Sequence, residues 1–143
     1  MKRTIIAQVF YAATIATGIA FGMAAQDCKA GTIGIHVASV HSQSGYNNFN
    51  PGLYYKHDNG ATVGTFRNSE RRQSFYAAWT WEFFDERLGL TAGAVTGYSR
   101  AAVFPMLVPS LKFRVGDLGA VRLSLLAPPR EAMAVHLSFE RRF

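Results

Sequence analysis

The stretch "AVHLSFERRF", Ala134 to Phe143, decides how the chain is read. Val135, Leu137, Phe139 and Phe143 fall on odd positions; His136, Ser138, Glu140 and Arg142 fall on even ones, with Arg141 as the one break. That is the period of a half-apolar strand, not of a helix. "SFYAAWTWEFF" repeats it, with Phe75, Ala77, Trp79, Trp81 and Phe83 on one face and Ser74, Tyr76, Ala78, Thr80 and Glu82 on the other. Similar alternation marks further strands near residues 31–41, 51–58, 61–69, 88–98, 106–115 and 119–127, which with 74–84 and 133–143 makes eight. No helical stripe follows residue 30.

The start sets the compartment. Lys2 and Arg3 precede an apolar run from Ile5 to Phe21, and "GMAAQ" follows. A basic region, an apolar region and small residues before a polar one describe a cleaved secretory signal peptide over residues 1–25. A barrel domain over 26–143 remains, 118 residues, enough for one domain. Its formal charge drops from +6 to about +4 once Lys2 and Arg3 are gone. That mild surplus suits an anionic lipid surface, and nucleic acid is no partner for an exported chain. Cys28 is the only cysteine, so no internal disulfide staples the domain.

Connections alternate in length. Asn59-Gly60 is a hairpin signal, and "DER" (Asp85 to Arg87) and "GDLG" (Gly116 to Gly119) are tight. Between them lie Ser42 to Asn50, Glu70 to Gln73, Ser99 to Pro105 and Pro128 to Ala132, which are generally longer. Short turns at one end and longer loops at the other are the sidedness of a transmembrane barrel. Ile33, Ile35 and Val37 are expected on its lipid face with Leu107, Leu111, Val121 and Leu123. Tyr54, Tyr55, Phe83, Phe84, Tyr98, Phe104 and Phe143 are expected in interfacial girdles. Eight strands leave an interior that side chains can fill. Glu82, Lys112, Arg114, Arg122 and Glu140 are expected there as an ion-pair network.

The terminal strand ending at Phe143 resembles the last strand of bacterial outer-membrane barrels. That resemblance implies a closed antiparallel eight-stranded transmembrane up-and-down barrel of the Gram-negative outer membrane, delivered by signal-peptide export. It also implies recognition of the Phe143 strand by the barrel-assembly machinery. Small barrels of this kind include adhesion-related proteins, inert anchors and lipid A modifying enzymes. Outer-membrane lipid A deacylases carry a His-x-Ser pair with a Glu, and His136, Ser138 and Glu140 are residues of those types. Read from spacing alone, that row is polar lumen lining, since i, i+2 and i+4 lie about 6.5–7 Å apart per step.

"VHSQSGYNNFNPG" also resembles the deacylase signature of His, Ser, Asn and Gly near a rim, with His41 and Ser42 as catalytic candidates. Asn48, Asn50, Arg67, Asn68, Ser69, Arg71 and Arg72 are candidates for contacting lipid headgroups and lipopolysaccharide phosphates. Asn and Ser also make turns, and Arg solvates rims, which is the structural account of the same residues. Four dispersed His and one Cys give no metal-ligand spacing, and no cofactor motif is present. Three functions follow from this pattern. The first is a non-pore barrel presenting outer loops for adhesion or surface interaction. The second is an outer-leaflet lipid-modifying hydrolase or acyltransferase. The third is a soluble periplasmic barrel binding an apolar ligand.

Overall fold

A computed structural model describes residues 31–127 and 132–143. The leader, Cys28 and most of the Pro128 to Ala132 connection lie outside the described residues. The strands are β1 (Gly31–His41), β2 (Phe49–His57), β3 (Ala61–Arg67), β4 (Gln73–Phe83), β5 (Leu88–Thr96), β6 (Val103–Val115), β7 (Gly119–Leu126) and β8 (Ala134–Arg142). Each pairs antiparallel with its sequence neighbour, and β8 returns to β1, so the sheet closes. Closure gives every strand two neighbours, so no strand is an edge of the sheet. At the seam Thr32 faces Arg142 and His41 faces Ala134. Gly31 and Phe143 exchange two backbone hydrogen bonds, at 3.2 and 3.0 Å.

The connections are sided as the spacing predicts. Residues 58–60, 84–87 and 116–118 turn at the end that holds Gly31 and Phe143. Residues 42–48, 68–72 and 97–102 connect at the opposite end. In the first tight turn only Gly60 has positive φ, at 100°, and Asn59 instead accepts the Ala61 N–H through its side chain at 2.9 Å.

Polar residues line the interior. Thr32, Lys56, Thr62, Ser74, Thr80, Ser110, Arg122, His136, Ser138 and Glu140 are all buried. Outside stand Ile33, Ile35, Phe75, Trp79, Trp81, Leu107, Leu111, Phe113 and Val135, all exposed. The distribution is the inverse of a soluble barrel, in which the apolar face forms the core.

Three placements differ from the sequence-based expectation. A β-bulge between His36 and Ala38 makes Val37 the extra residue against β8, while against β2 the register slips the other way, with Asn50 and Pro51 opposite Val37. An extra residue reverses the alternation beyond it. Ser39 therefore faces inward against His136, and Val37 leaves the outer row. Tyr54, expected in a girdle, is buried in the lumen, because it shares parity with Asn50 and Lys56. Strand β6 begins at Val103, inside the region expected to be loop.

Candidate functional site

The lumen has two storeys. In the half nearest the short turns, charged side chains fill it. Arg122 Nε donates to Glu140 Oε1 at 2.5 Å, its Nη2 to Glu140 Oε2 at 3.1 Å, and its Nη1 to Ser110 Oγ at 2.8 Å. Arg122 also bonds Glu82. Glu82 accepts from Lys56 at 2.6 Å and from Lys112 at 3.3 Å, and Lys112 reaches Glu86 at 2.7 Å. Glycine makes room for this packing. A Cβ at Gly89 would lie 2.5 Å from Arg122 Nη1. The expected network thus forms, with two amendments. Lys56 belongs to it, as its even parity in β2 dictates. Arg114 does not, because its side chain is 72% exposed at the turn end, 3.8 Å from Glu86.

Above the ions lies a chain of hydrogen bonds. Ser39 Oγ is 2.8 Å from His136 Nδ1, His136 Nε2 is 2.8 Å from His36 Nδ1, and His36 Nε2 is 3.1 Å from the Tyr76 hydroxyl. Each group can both donate and accept, so neutral rings satisfy the whole chain in either direction. Tyr54 donates to Glu140 at 2.6 Å and joins this layer to the ions below. The His136, Ser138, Glu140 row does not assemble as a triad. His136 bonds Ser39 and His36, Glu140 bonds Arg122 and Tyr54, and Ser138 Oγ lies 3.5 Å from the Tyr54 hydroxyl. Successive inward residues of one strand are too far apart to bond directly.

The lumen is not filled throughout. A cavity of about 710 Å³ runs from the loop end past the histidines to Lys56, Thr80, Arg122 and Glu140, which corrects the expectation of a filled interior. Side-chain volume contributes, since Ser39, Asn50, Thr62, Thr80, Thr91, Ser124 and Ala134 around the cavity are small. Val95, Phe104, Met106, Val108 and Leu126 make one wall apolar, and His36, Ser39, Tyr76, His136 and Ser138 make the floor polar. Tyr98 and Phe104, expected in a girdle, also line it.

The β6–β7 seam is paired over only part of its length. The β6–β7 ladder runs only from Ser110 opposite Ser124 to Val115 opposite Gly119. Residues 103–109 of β6 pair with β5 and, among the described residues, have no partner on the β7 side. Pro105 and Pro109 fall in that stretch and carry no N–H to offer a neighbour. Pro105 and Leu107 have outward parity yet also line the cavity.

At the mouth, His41 stands inward of the bulge, stacked on Tyr46 with ring centroids 5.0 Å apart and planes 13° from parallel. Its Nδ1 is 2.8 Å from Asn48 Oδ1. A carbonyl oxygen only accepts, so Nδ1 carries the proton and Nε2 is the basic nitrogen. Ser69 lines the same mouth, and its carbonyl accepts from the Asn47 N–H at 2.9 Å. Ser42 is exposed, its N–H bonded to the Met133 carbonyl at 2.8 Å.

The remaining candidates divide. Asn68 is fully buried and holds the loop together. Its Nδ2 donates to Ser74 Oγ and the Gly97 carbonyl at 3.0 and 2.9 Å, and its Oδ1 accepts from the N–H groups of Glu70 and Arg72 at 3.0 and 2.9 Å. Asn50 ties β2 to β3 through Nδ2, which donates to the Arg67 carbonyl at 2.9 Å. Arg67, Arg71 and Arg72 are exposed around the loop end. Among the described residues no group of three His, Cys, Asp or Glu is placed to hold a metal ion.

No protein-family model matches the chain, and no curated protein matches it. The solution NMR structure of the de novo designed TMB2.3 has the same fold, with a TM-score of 0.57 at 12% identity over 82% of this chain and 98% of that one.

Proposed function

We propose that the protein is a small outer-membrane barrel that engages outer-leaflet lipid, drawing one acyl chain into its loop-end cavity and modifying that lipid at the mouth. The observation that carries this reading is the cavity of about 710 Å³, apolar on one wall. An apolar exterior belongs in hydrocarbon, and a spanning sheet must close because lipid offers its backbone no partners.

The mouth supports hydrolysis or acyl transfer. His41 presents Nε2 as a base, oriented by Asn48. It would take the proton of an attacking hydroxyl as the new acyl–oxygen bond forms, then return it to the departing alkoxide. The exposed Arg67, Arg71 and Arg72 at the loop end support this reading, since guanidinium groups bind lipid phosphates. Adhesion has less support, since the described outer loops 42–48, 68–72 and 97–102 are short and offer little surface.

Val108 is buried and lines the cavity, so Val108→Trp fills it without touching the ions or the mouth. The barrel refolded in bilayers should bind a fluorescent alkyl-chain probe, and Val108→Trp should abolish that binding while the barrel stays folded. Mass analysis of outer-membrane lipid from cells with and without the protein should show a gained or lost acyl chain, a change that His41→Ala removes. Absence of probe binding defeats the cavity reading, and unchanged lipid defeats the enzymatic one.

A further inference from the structure

The bulge at Val37 brings two residues of β1 that are three apart, His36 and Ser39, to the inner face, and both line the cavity together with His136 and Tyr76. Bulges recur beside active sites, where they re-aim a side chain. This one aims a hydroxyl at a base. Ser39 Oγ lies 2.8 Å from His136 Nδ1, His136 Nε2 lies 2.8 Å from His36 Nδ1, and His36 Nε2 lies 3.1 Å from the Tyr76 hydroxyl. With a proton on Nε2 of each ring, His136 donates to His36 and His36 donates to Tyr76, which leaves His136 Nδ1 to accept from Ser39. A hydroxyl bonded to a base, and a base held in one tautomer by a third group, is the arrangement that activates a serine. Val95, Phe104, Met106, Val108 and Leu126 give the same cavity the apolar wall that an alkyl chain needs.

We propose that Ser39 is a nucleophile that carries the acyl group as a covalent ester between donor and acceptor, with His136 as its base and His36 as a positioning residue. The inference rests on the reading of the cavity as an acyl-chain site served by His41. In the first half, Ser39 Oγ bonds the acyl carbon of an ester and its proton passes to His136 Nδ1. The bond from that carbon to the alkoxide then breaks, and the alkoxide leaves with the proton. In the second half, water or an acceptor hydroxyl attacks the Ser39 ester. Its proton passes to His41 Nε2 and returns to the Ser39 oxygen as that bond breaks. His41 is the next inward residue of β1 toward the mouth, about 6.5–7 Å along the strand from Ser39. Substrates are thus alkanoyl esters, and the acyl-serine forms on β1, not in the β8 row that holds Ser138.

The test uses the refolded barrel in bilayers of ether-linked lipid, which offers no competing ester. The probe is ethyl dodecylphosphonofluoridate, which bonds an activated serine oxygen and loses fluoride. Adducts are located by peptide mass spectrometry, so Ser39 itself stays unaltered. Ser39 should be the residue labelled, and His136→Gln should slow its labelling about a hundredfold, within the usual contribution of a general base. His36→Gln should lower the limiting rate and leave the half-saturating probe concentration in place, because His36 acts through His136 and not on the chain. Binding of a fluorescent alkyl probe without any adduct overturns the proposal and leaves chain binding intact. So does an adduct on Ser42, Ser69 or Ser138 in place of Ser39, or labelling that either histidine substitution leaves unchanged. Failure of both probes overturns the chain-binding reading and the proposal together. Should His136→Gln not fold, His41→Ala decides with p-nitrophenyl dodecanoate. Release of the acyl group is blocked there, so a dodecanoyl ester should accumulate on Ser39, and its absence overturns the proposal.

Discussion

His136 hydrogen-bonds Ser39 across the β1–β8 seam at 2.8 Å and makes no bond to Ser138 on its own strand. The bulge at Val37 is responsible, because it turns Ser39 inward opposite His136. Removing the Ser39 hydroxyl strands a ring nitrogen in a buried place, which costs about 1–3 kcal/mol. The Ser138 hydroxyl has one long contact, at 3.5 Å to Tyr54. Ser39→Ala should therefore lower the urea midpoint of the refolded barrel clearly, and Ser138→Ala should move it little. A larger loss in Ser138→Ala would contradict the cross-seam pairing.

Gly34 is the seat of Tyr54. A Cβ there would overlap the Tyr54 ring, so the ring would have to leave. Moving it breaks the 2.6 Å bond to Glu140. Gly34→Ala should cost about 1–3 kcal/mol, the usual range for overpacking a dense interior. Adding Tyr54→Phe should then cost less than it does alone, since the bond is already lost; simple additivity of the two would place Tyr54 elsewhere.

Alternation made most of this barrel readable. Trp79, Trp81 and Phe83 point outward and Glu82 inward, as their parity requires. The bulge was not readable, because nothing in "GIHVASVH" marks Val37 as the extra residue. Parity counted from His36 through Val37 therefore misplaces Ser39. Lys56 and Tyr54 were masked by the run Leu53, Tyr54, Tyr55, where apolar and aromatic residues occupy both faces. The cavity was hidden for a different reason: it depends on volumes summed across all eight strands, and no local pattern carries that sum. In "FPMLVPS" a proline reads as a loop residue, yet Pro105 lies inside β6, where it lacks an N–H to offer a neighbouring strand.

Glu82 and Arg114 make a contrasting pair of tests. Glu82 accepts from Lys56 and Lys112 and bonds Arg122. Its removal leaves those cations short of a counter-charge, a loss of about 3–5 kcal/mol when a buried pair is broken. Arg114 is largely exposed and 3.8 Å from its nearest carboxylate, so its removal should cost under about 1 kcal/mol. Glu82→Ala should unfold at visibly lower urea than Arg114→Ala. Equal midpoints would mean that Glu82 is not central to the network.

Phe143 closes the barrel through its backbone as well as its ring. Its N–H and carbonyl both bond Gly31, and its ring centroid lies 6.4 Å from that of Tyr55. Deleting it removes two seam hydrogen bonds, each worth about 0.5–1.5 kcal/mol. The truncated chain should refold in vitro with that modest loss. If the assembly machinery reads this residue, its yield in cell membranes should fall much further than its stability does. Parallel losses in both settings would reduce Phe143 to a structural role.

Ile35 separates a membrane barrel from a soluble one. It lies on the outer face between Leu53 and Phe139, 48% exposed, in the middle of β1. In water, arginine at an exposed strand position changes stability by no more than about 0.5 kcal/mol. At the midplane of a bilayer the same change costs about 2–4 kcal/mol on a lipid-facing barrel position, because the guanidinium must pull water or headgroups toward it. Ile35→Arg should therefore destabilise the barrel strongly in lipid. Unmodified protein should fractionate with outer membranes and migrate faster unheated than boiled, as a closed barrel resists detergent. Recovery in the soluble fraction, together with a neutral Ile35→Arg, would show that the apolar exterior meets something other than lipid.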